Sequence, residues 1–201
     1  MVADTPSAAG QADVEHTSPR PDTTDPHRSR QRALKVLFAA DVRREDPRIT
    51  LDRVLADHTA LDLLDEDDLD ELDLGDELRA EAERVLRRRG GSRVLDGYAR
   101  RLVMGVGEHR HDLDDRIGRQ SHGWRIDRMA LVDRNVLRLA AYELLHEDLR
   151  PSVVINEAVE LVKELSGPDS PRFVNGVLEA LRRRCIEEAD ATPREAGDAD
   201  G

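Results

Sequence analysis

"MALVDRNVLRLAAYELLH", residues 129–146, decides the fold. It is apolar on most sides, and its polar members are chiefly Asp133, Arg134, Asn135, Arg138 and Glu143. A helix that is hydrophobic nearly all round must be surrounded by other elements, so this stretch is predicted as the centre of the molecule. Toward the C-terminus, residues 152–166 repeat the pattern with Ile155, Ala158, Val159, Val162 and Leu165, and Gly167-Pro168 stops it. A last helix is predicted from 171 to about 188, with Phe173, Val174, Val177, Leu178 and Leu181 inward. Toward the N-terminus, "GWRIDRM" reads as a turn anchoring Trp124. Before it, residues 92–121 read as one long helical pattern through Val94, Leu95, Tyr98, Leu102, Val106, Leu113 and Ile117. Gly105 and Gly107 either weaken that helix or admit a close neighbour.

Further out, "SRQRALKVLFAADVRR", residues 29–44, gathers Ala33, Leu34, Leu37 and Ala40 on one side of a helical wheel. A second helix is predicted from Leu51 to about Leu61, after Pro47. No segment sustains period-two alternation. The fold class is therefore all-α, a compact bundle of about six or seven helices.

Charge divides the chain. Residues 1–26 carry a net −4, residues 62–83 a net −11 and residues 187–201 a net −5. The whole chain carries −12, so the remaining residues, 27–61 and 84–186, carry +8. The acidity belongs to the appendages, and the predicted folded body is basic, as suits a polyanionic partner such as nucleic acid. Residues 1–26 are predicted as a disordered acidic tail, 27–186 as the helical domain, about 62–91 as an acidic linker inserted in it, and 187–201 as a second acidic tail.

Cys185 is the single cysteine, which rules out an intramolecular disulfide framework and a thiolate metal cluster. No apolar run approaches the length of a membrane span, and the first 26 residues lack a hydrophobic signal core. A reducing cytoplasm is the predicted compartment.

Catalytic patterns are weak. His109 and His111 diverge on a helix, and "MGVGEH" falls mid-helix with no preceding strand, so it is no phosphate loop. Two other features carry more. Arg28, Arg32 and Lys35 recur at i, i+4 and i+7, either as a phosphate-contacting stripe or as a solvated helix face, with Phe38 at its flank. The second is "DSPRFVNGVL", residues 169–178. It starts a helix, with Ser170 as cap and Pro171 at the first position. Here Arg172 can meet phosphate, Asn175 a base edge and Phe173 a stacked base; alternatively Phe173 is core and Ser170 an ordinary cap. The chain has only two phenylalanines, and one adjoins each feature. Unpaired RNA is recognised by charge combined with exposed aromatic faces.

"VDRNVLRLAAYELL", "VVINEAVELVKELS" and "DSPRFVNGVLEALRR", in that order, resemble the NusB family, and "RSRQRALKVLFAAD" resembles its arginine-rich first helix. The resemblance covers roughly residues 27–45 and 92–185. It implies an all-helical fold of two small helical subdomains and a transcription antitermination factor without enzymatic activity or cofactor. The implied partners are boxA-type single-stranded RNA, the small-subunit ribosomal protein NusE and the RNA polymerase elongation complex, on ribosomal RNA operons. The family's RNA-contacting arm falls on His27, Arg28, Arg30 and Arg32, its helix-one aromatic on Phe38, and its loop and last-helix contacts near Ser170, Arg172, Phe173 and Asn175. Asp169 takes an orienting or partner-facing role. The same helical fold serves as an accessory domain of rRNA cytosine methyltransferases, but only about 15 residues follow the last helix. The alternative of another class is a helical protein-interaction module, or a homodimer with weak RNA binding.

Overall fold

The computed structural model describes residues 25–56, 72, 74–86, 95–121 and 124–191. Among them eight α-helices follow in order: α1 (Pro26–Arg43), α2 (Pro47–Ala56), α3 (Asp76–Leu86), α4 (Gly97–Glu108), α5 (Arg110–Gln120), α6 (Leu131–His146), α7 (Pro151–Leu165) and α8 (Ser170–Ala191), with a 3₁₀ turn at Ile126–Arg128. No strand occurs among the described residues. Helices α1, α2 and α4 pack on one another, α6, α7 and α8 do likewise with α5 against α6 and α8, and α6 joins the two groups by packing on α1 and α4 as well. Val132, Val136, Leu137, Leu139, Ala140 and Ala141 of α6 are buried, as its nearly all-round apolar sequence requires.

The helix starts follow local chemistry. The Asp25 carboxylate accepts the His27 N–H at 3.1 Å, and Pro26 holds the first position of α1. The Asp96 carboxylate accepts the Ala99 N–H at 2.8 Å and starts α4. Prolines also open α2 and α7.

Two differences raise the helix count above six or seven. The single pattern over 92–121 is broken at His109, which ends α4 and precedes α5. The other difference lies within the stretch expected to be an acidic linker, about 62–91. Residues 76–86 there form α3, where Ala82 and Val85 are buried. Its Glu81 carboxylate accepts the backbone N–H groups of Val132 at 2.7 Å and Leu131 at 3.3 Å. A carboxylate at a helix N-terminus satisfies otherwise unpaired donors and meets the positive end of the dipole. Burial nonetheless raises the Glu81 pKa, against the pull of those two N–H groups. Helix α8 also extends to Ala191, into the expected tail. Leu72 and Leu74 of the expected linker also pack against the core; residues 62–71, 73 and 87–91 and the tails 1–24 and 192–201 lie outside the described residues.

The bundle is pinned by buried charge. Asp41 of α1 accepts from Arg110 at 2.7 Å, Arg134 at 3.0 Å, Arg138 at 2.9 Å and Asn135 at 3.1 Å. Arg138 also holds Asp114 through two bonds of 2.7 and 2.8 Å. Burial alone would raise the Asp41 pKa, but Arg138, Arg134 and Arg110 outweigh it and hold the carboxyl below its usual range. Gly105 supplies the close approach its sequence allowed: a Cβ there would lie 2.1 Å from the Tyr142 ring.

Candidate nucleic-acid interface

The chain leaves α7 at Leu165 and enters α8 at Ser170 through a loop fixed by one carboxylate. Ser166 Oγ donates to Asp133 Oδ1 at 2.6 Å, and Ser170 Oγ donates to Asp133 Oδ2 at 2.7 Å. The two hydroxyl oxygens are 2.9 Å apart. Asp133 lies in the first turn of α6, so the loop is tied to the central helix. Beyond it, Arg172 and Asn175 are exposed and Phe173 is half-buried. Phe173 N–H donates to the Asp169 carbonyl at 3.2 Å. Asp169, Arg172 and Phe173 line a groove of about 720 Å³ together with Trp124 and Met129, while Asn175 is not among its lining residues. The Trp124 and Phe173 rings stand 6.1 Å apart at 52°.

Side chains from the start of α1 reach glutamates of α7, whose far end leads into this loop. His27 hydrogen-bonds Glu157 at 2.8 Å and Gln31 donates to Glu164 at 3.0 Å. Arg28 projects outward with its side chain 60% exposed and only a loose 3.9 Å contact to Asp25. Lys35 is half-buried and engaged within the chain.

Four expected contact residues are corrected. Arg30 is 3% exposed and grips Glu143 at 2.8 Å, with Tyr98 donating to the same carboxylate. Arg30 is one turn before Ala33 and Leu34 on the buried side of α1, so its guanidinium enters the core and finds a carboxylate there. Burial would lower its pKa, but the Glu143 bond and charge raise it. Arg32 is buried and bonds Asp96 at 2.7 Å. Phe38 is fully buried beside Leu34 and Leu37. Ser170 is buried and gives its proton to Asp133, neither capping α8 nor facing outward. Helix α1 is covered by α2, α4 and α6, so it has less free face than its arginines suggested. The apolar Val36, Ala39 and Val42 off the main stripe carried that signal.

Trp124, expected as a turn anchor, is instead 61% exposed. The stack of His109 on His146, 4.1 Å between centroids, joins residues 37 positions apart that no spacing pattern pairs. Among the described residues, no three of His, Cys, Asp and Glu are grouped to hold a metal, and no helix is long and apolar enough to cross a membrane.

The profile of the NusB family matches residues 27–183. The chain belongs to the NusB family. A transcription antitermination protein NusB from Nocardioides sp. is 38% identical over 157 residues, covering 78% of this chain and 92% of the relative. The T. maritima NusB structure superposes with a TM-score of 0.55 at 31% identity, covering 80% of this chain and 92% of that one. A crystal structure of the antitermination factors NusB and NusE in complex with dsRNA gives a TM-score of 0.54 at 26% identity, covering 80% and 99%. The NusB match spans both the α1 region and the α7–α8 loop.

Proposed function

We propose that this NusB-family chain is a non-enzymatic transcription antitermination factor. It binds boxA-type single-stranded RNA together with ribosomal protein NusE, joins elongating RNA polymerase and supports processive transcription of ribosomal RNA operons in the cytoplasm. The observation that carries this reading is the opening of α8: exposed Arg172 and Asn175 flank a half-buried Phe173, and Arg172 and Phe173 line an open groove. Unpaired RNA needs that combination of charge, amide and aromatic face. Arg28 adds an exposed charge from α1, and His27 and Lys35 complete the arm. Arg30, Arg32 and Ser170 act beneath this surface by holding it in place. Asp169 repels phosphate and faces the protein partner. The NusB–NusE–dsRNA structure at 26% identity supports the pairing of RNA with NusE.

Fluorescence anisotropy with a labelled boxA-like RNA, with and without NusE, tests the reading. Salt-sensitive binding that NusE strengthens and that Arg172→Ala or Phe173→Ala weakens is expected. Salt-independent self-association with no response to RNA overturns it in favour of an interaction module.

A further inference from the structure

The groove beside Phe173 continues along α8. Arg172, Gly176, Ala180 and Arg183 recur at i, i+4, i+8 and i+11, and all four line it. Glycine and alanine leave the floor low between two arginines. A Cβ built on Gly176 meets nothing within 4 Å. Eleven residues at 1.5 Å each separate the arginines by about 16 Å, several times the ~3.4 Å base-to-base step of a stacked strand. Gln120, Trp124 and Met129 also line it.

The charges along α8 are sorted by face. Arg182 pairs with Glu179 and Arg184 with Glu187, while Arg116 of α5 pairs with Asp112 and Glu188. Arg172 and Arg183 in the groove, and Arg119 beside it next to Gln120, make no hydrogen bond or ion pair among the described residues. Two acids also line the groove. Asp133 has both oxygens committed to serine hydroxyls, and Asp169 lies at the Arg172 end. The far end is cationic: the one acid beside Arg119, Glu188, pairs with Arg116. At the other end Trp124, one of the most costly side chains to leave in water, stands 61% exposed with its ring 6.1 Å from that of Phe173.

We propose that this groove extends the RNA site into a further subsite: the strand contacting Phe173 lays its next base against the neighbouring Trp124 indole and runs on along α8, with its phosphates by Arg183 and Arg119. The inference rests on the RNA-binding reading above. The occupant is nucleic acid because unpaired cations border an exposed aromatic and a floor of small residues, the arrangement of a single-strand channel.

Trp124 is the only tryptophan of the chain, so its emission reports the subsite directly. Full-length protein is titrated with a boxA-like single-stranded RNA while tryptophan emission and the anisotropy of the labelled RNA are both followed. Quenching that parallels binding is expected. Trp124→Ala weakens binding roughly 5- to 150-fold, from ~1–3 kcal/mol per stacked base. Arg183→Gln lowers the salt slope by about 0.7. Gly176→Leu fills the floor and weakens binding without lowering the melting temperature, which separates occlusion from misfolding. RNA binding that Phe173→Ala reduces, but that leaves tryptophan emission and all three groove variants unaffected, overturns the subsite and leaves the function standing. Emission quenched by NusE and not by RNA overturns it in favour of a protein occupant. Absence of RNA binding in the wild type overturns both.

Discussion

Ser170 donates its hydroxyl proton to Asp133 at 2.7 Å, which ties the first residue of α8 to the first turn of α6 across 37 residues of sequence. Ser166 uses the other carboxylate oxygen. The loop bearing Asp169, Arg172 and Phe173 is thus held by the central helix and not by its own backbone alone.

Ser170→Ala removes one donor from a buried carboxylate and is expected to cost about 1–3 kcal/mol of stability. Asp133→Ala strands two hydroxyls instead. Because both variants break the same contact, their combination is expected to be less damaging than the sum, with a coupling of about 0.5–3 kcal/mol. Denaturant melts of the two single variants and the double variant measure it. Strict additivity would remove the tie.

Two arginines a turn or less apart on α1 are expected to behave oppositely. Arg28 is exposed, so Arg28→Ala leaves stability within about 0.5 kcal/mol of wild type and lowers the salt slope of RNA binding by about 0.7. Arg30→Ala leaves Glu143 buried with its positive partner gone and is expected to cost about 3–5 kcal/mol. Thermal melts and salt titrations of the pair separate surface from core. Equal effects on stability would refute the assignment.

This pair also marks where the sequence stops being legible. The helices of the bundle follow from apolar spacing, and α6 is central because residues 131–146 leave almost no polar face. The opening of α8 could be read as a polar-aromatic turn because Arg172, Phe173 and Asn175 are close in the chain. What spacing does not encode is the partner. Arg30 looks like a surface cation until Glu143, 113 residues away, meets it. Asp133 looks solvated until two serines close on it. Trp124 looks like an anchor because burial of an isolated aromatic depends wholly on what the fold brings over it. Helix α3 was hidden by composition: its acids obscured Ala82 and Val85, and Glu81 finds its donors 50 residues on.

Gly105→Ala tests the closest helix contact. The added methyl would lie 2.1 Å from the Tyr142 ring, which stacks on His146 at 5.0 Å and so resists displacement. A net loss of about 1–3 kcal/mol is expected despite the better helix propensity of alanine. In a Tyr142→Ala background the clash vanishes and the same change becomes stabilising by up to ~1 kcal/mol. Chemical denaturation in both backgrounds gives the sign; destabilisation of equal size in each would show that the ring is not the obstacle.

His146 carries the pH dependence near neutrality. Burial lowers its pKa below the ordinary 6.5, and the stacked His109 adds to the effect. Arg116 pushes the same way, while Asp112 and Glu108 oppose it. A base with a depressed folded pKa binds fewer protons folded than unfolded. Its stabilisation is therefore complete above about pH 6.5 and is lost as the pH falls through that value toward the folded pKa. Asp41 acts in a separate window: its carboxyl titrates below the ordinary 3.8, so its contribution is lost only in stronger acid. Glu81, with a raised pKa, works in the opposite sense around 4.5 and above. Melting temperatures recorded between about pH 8 and 5 should fall with acid in the wild type and fall less steeply in His146→Gln. The comparison is of slopes, since losing the stack lowers the variant at every pH. Parallel slopes would assign the acid sensitivity to another group.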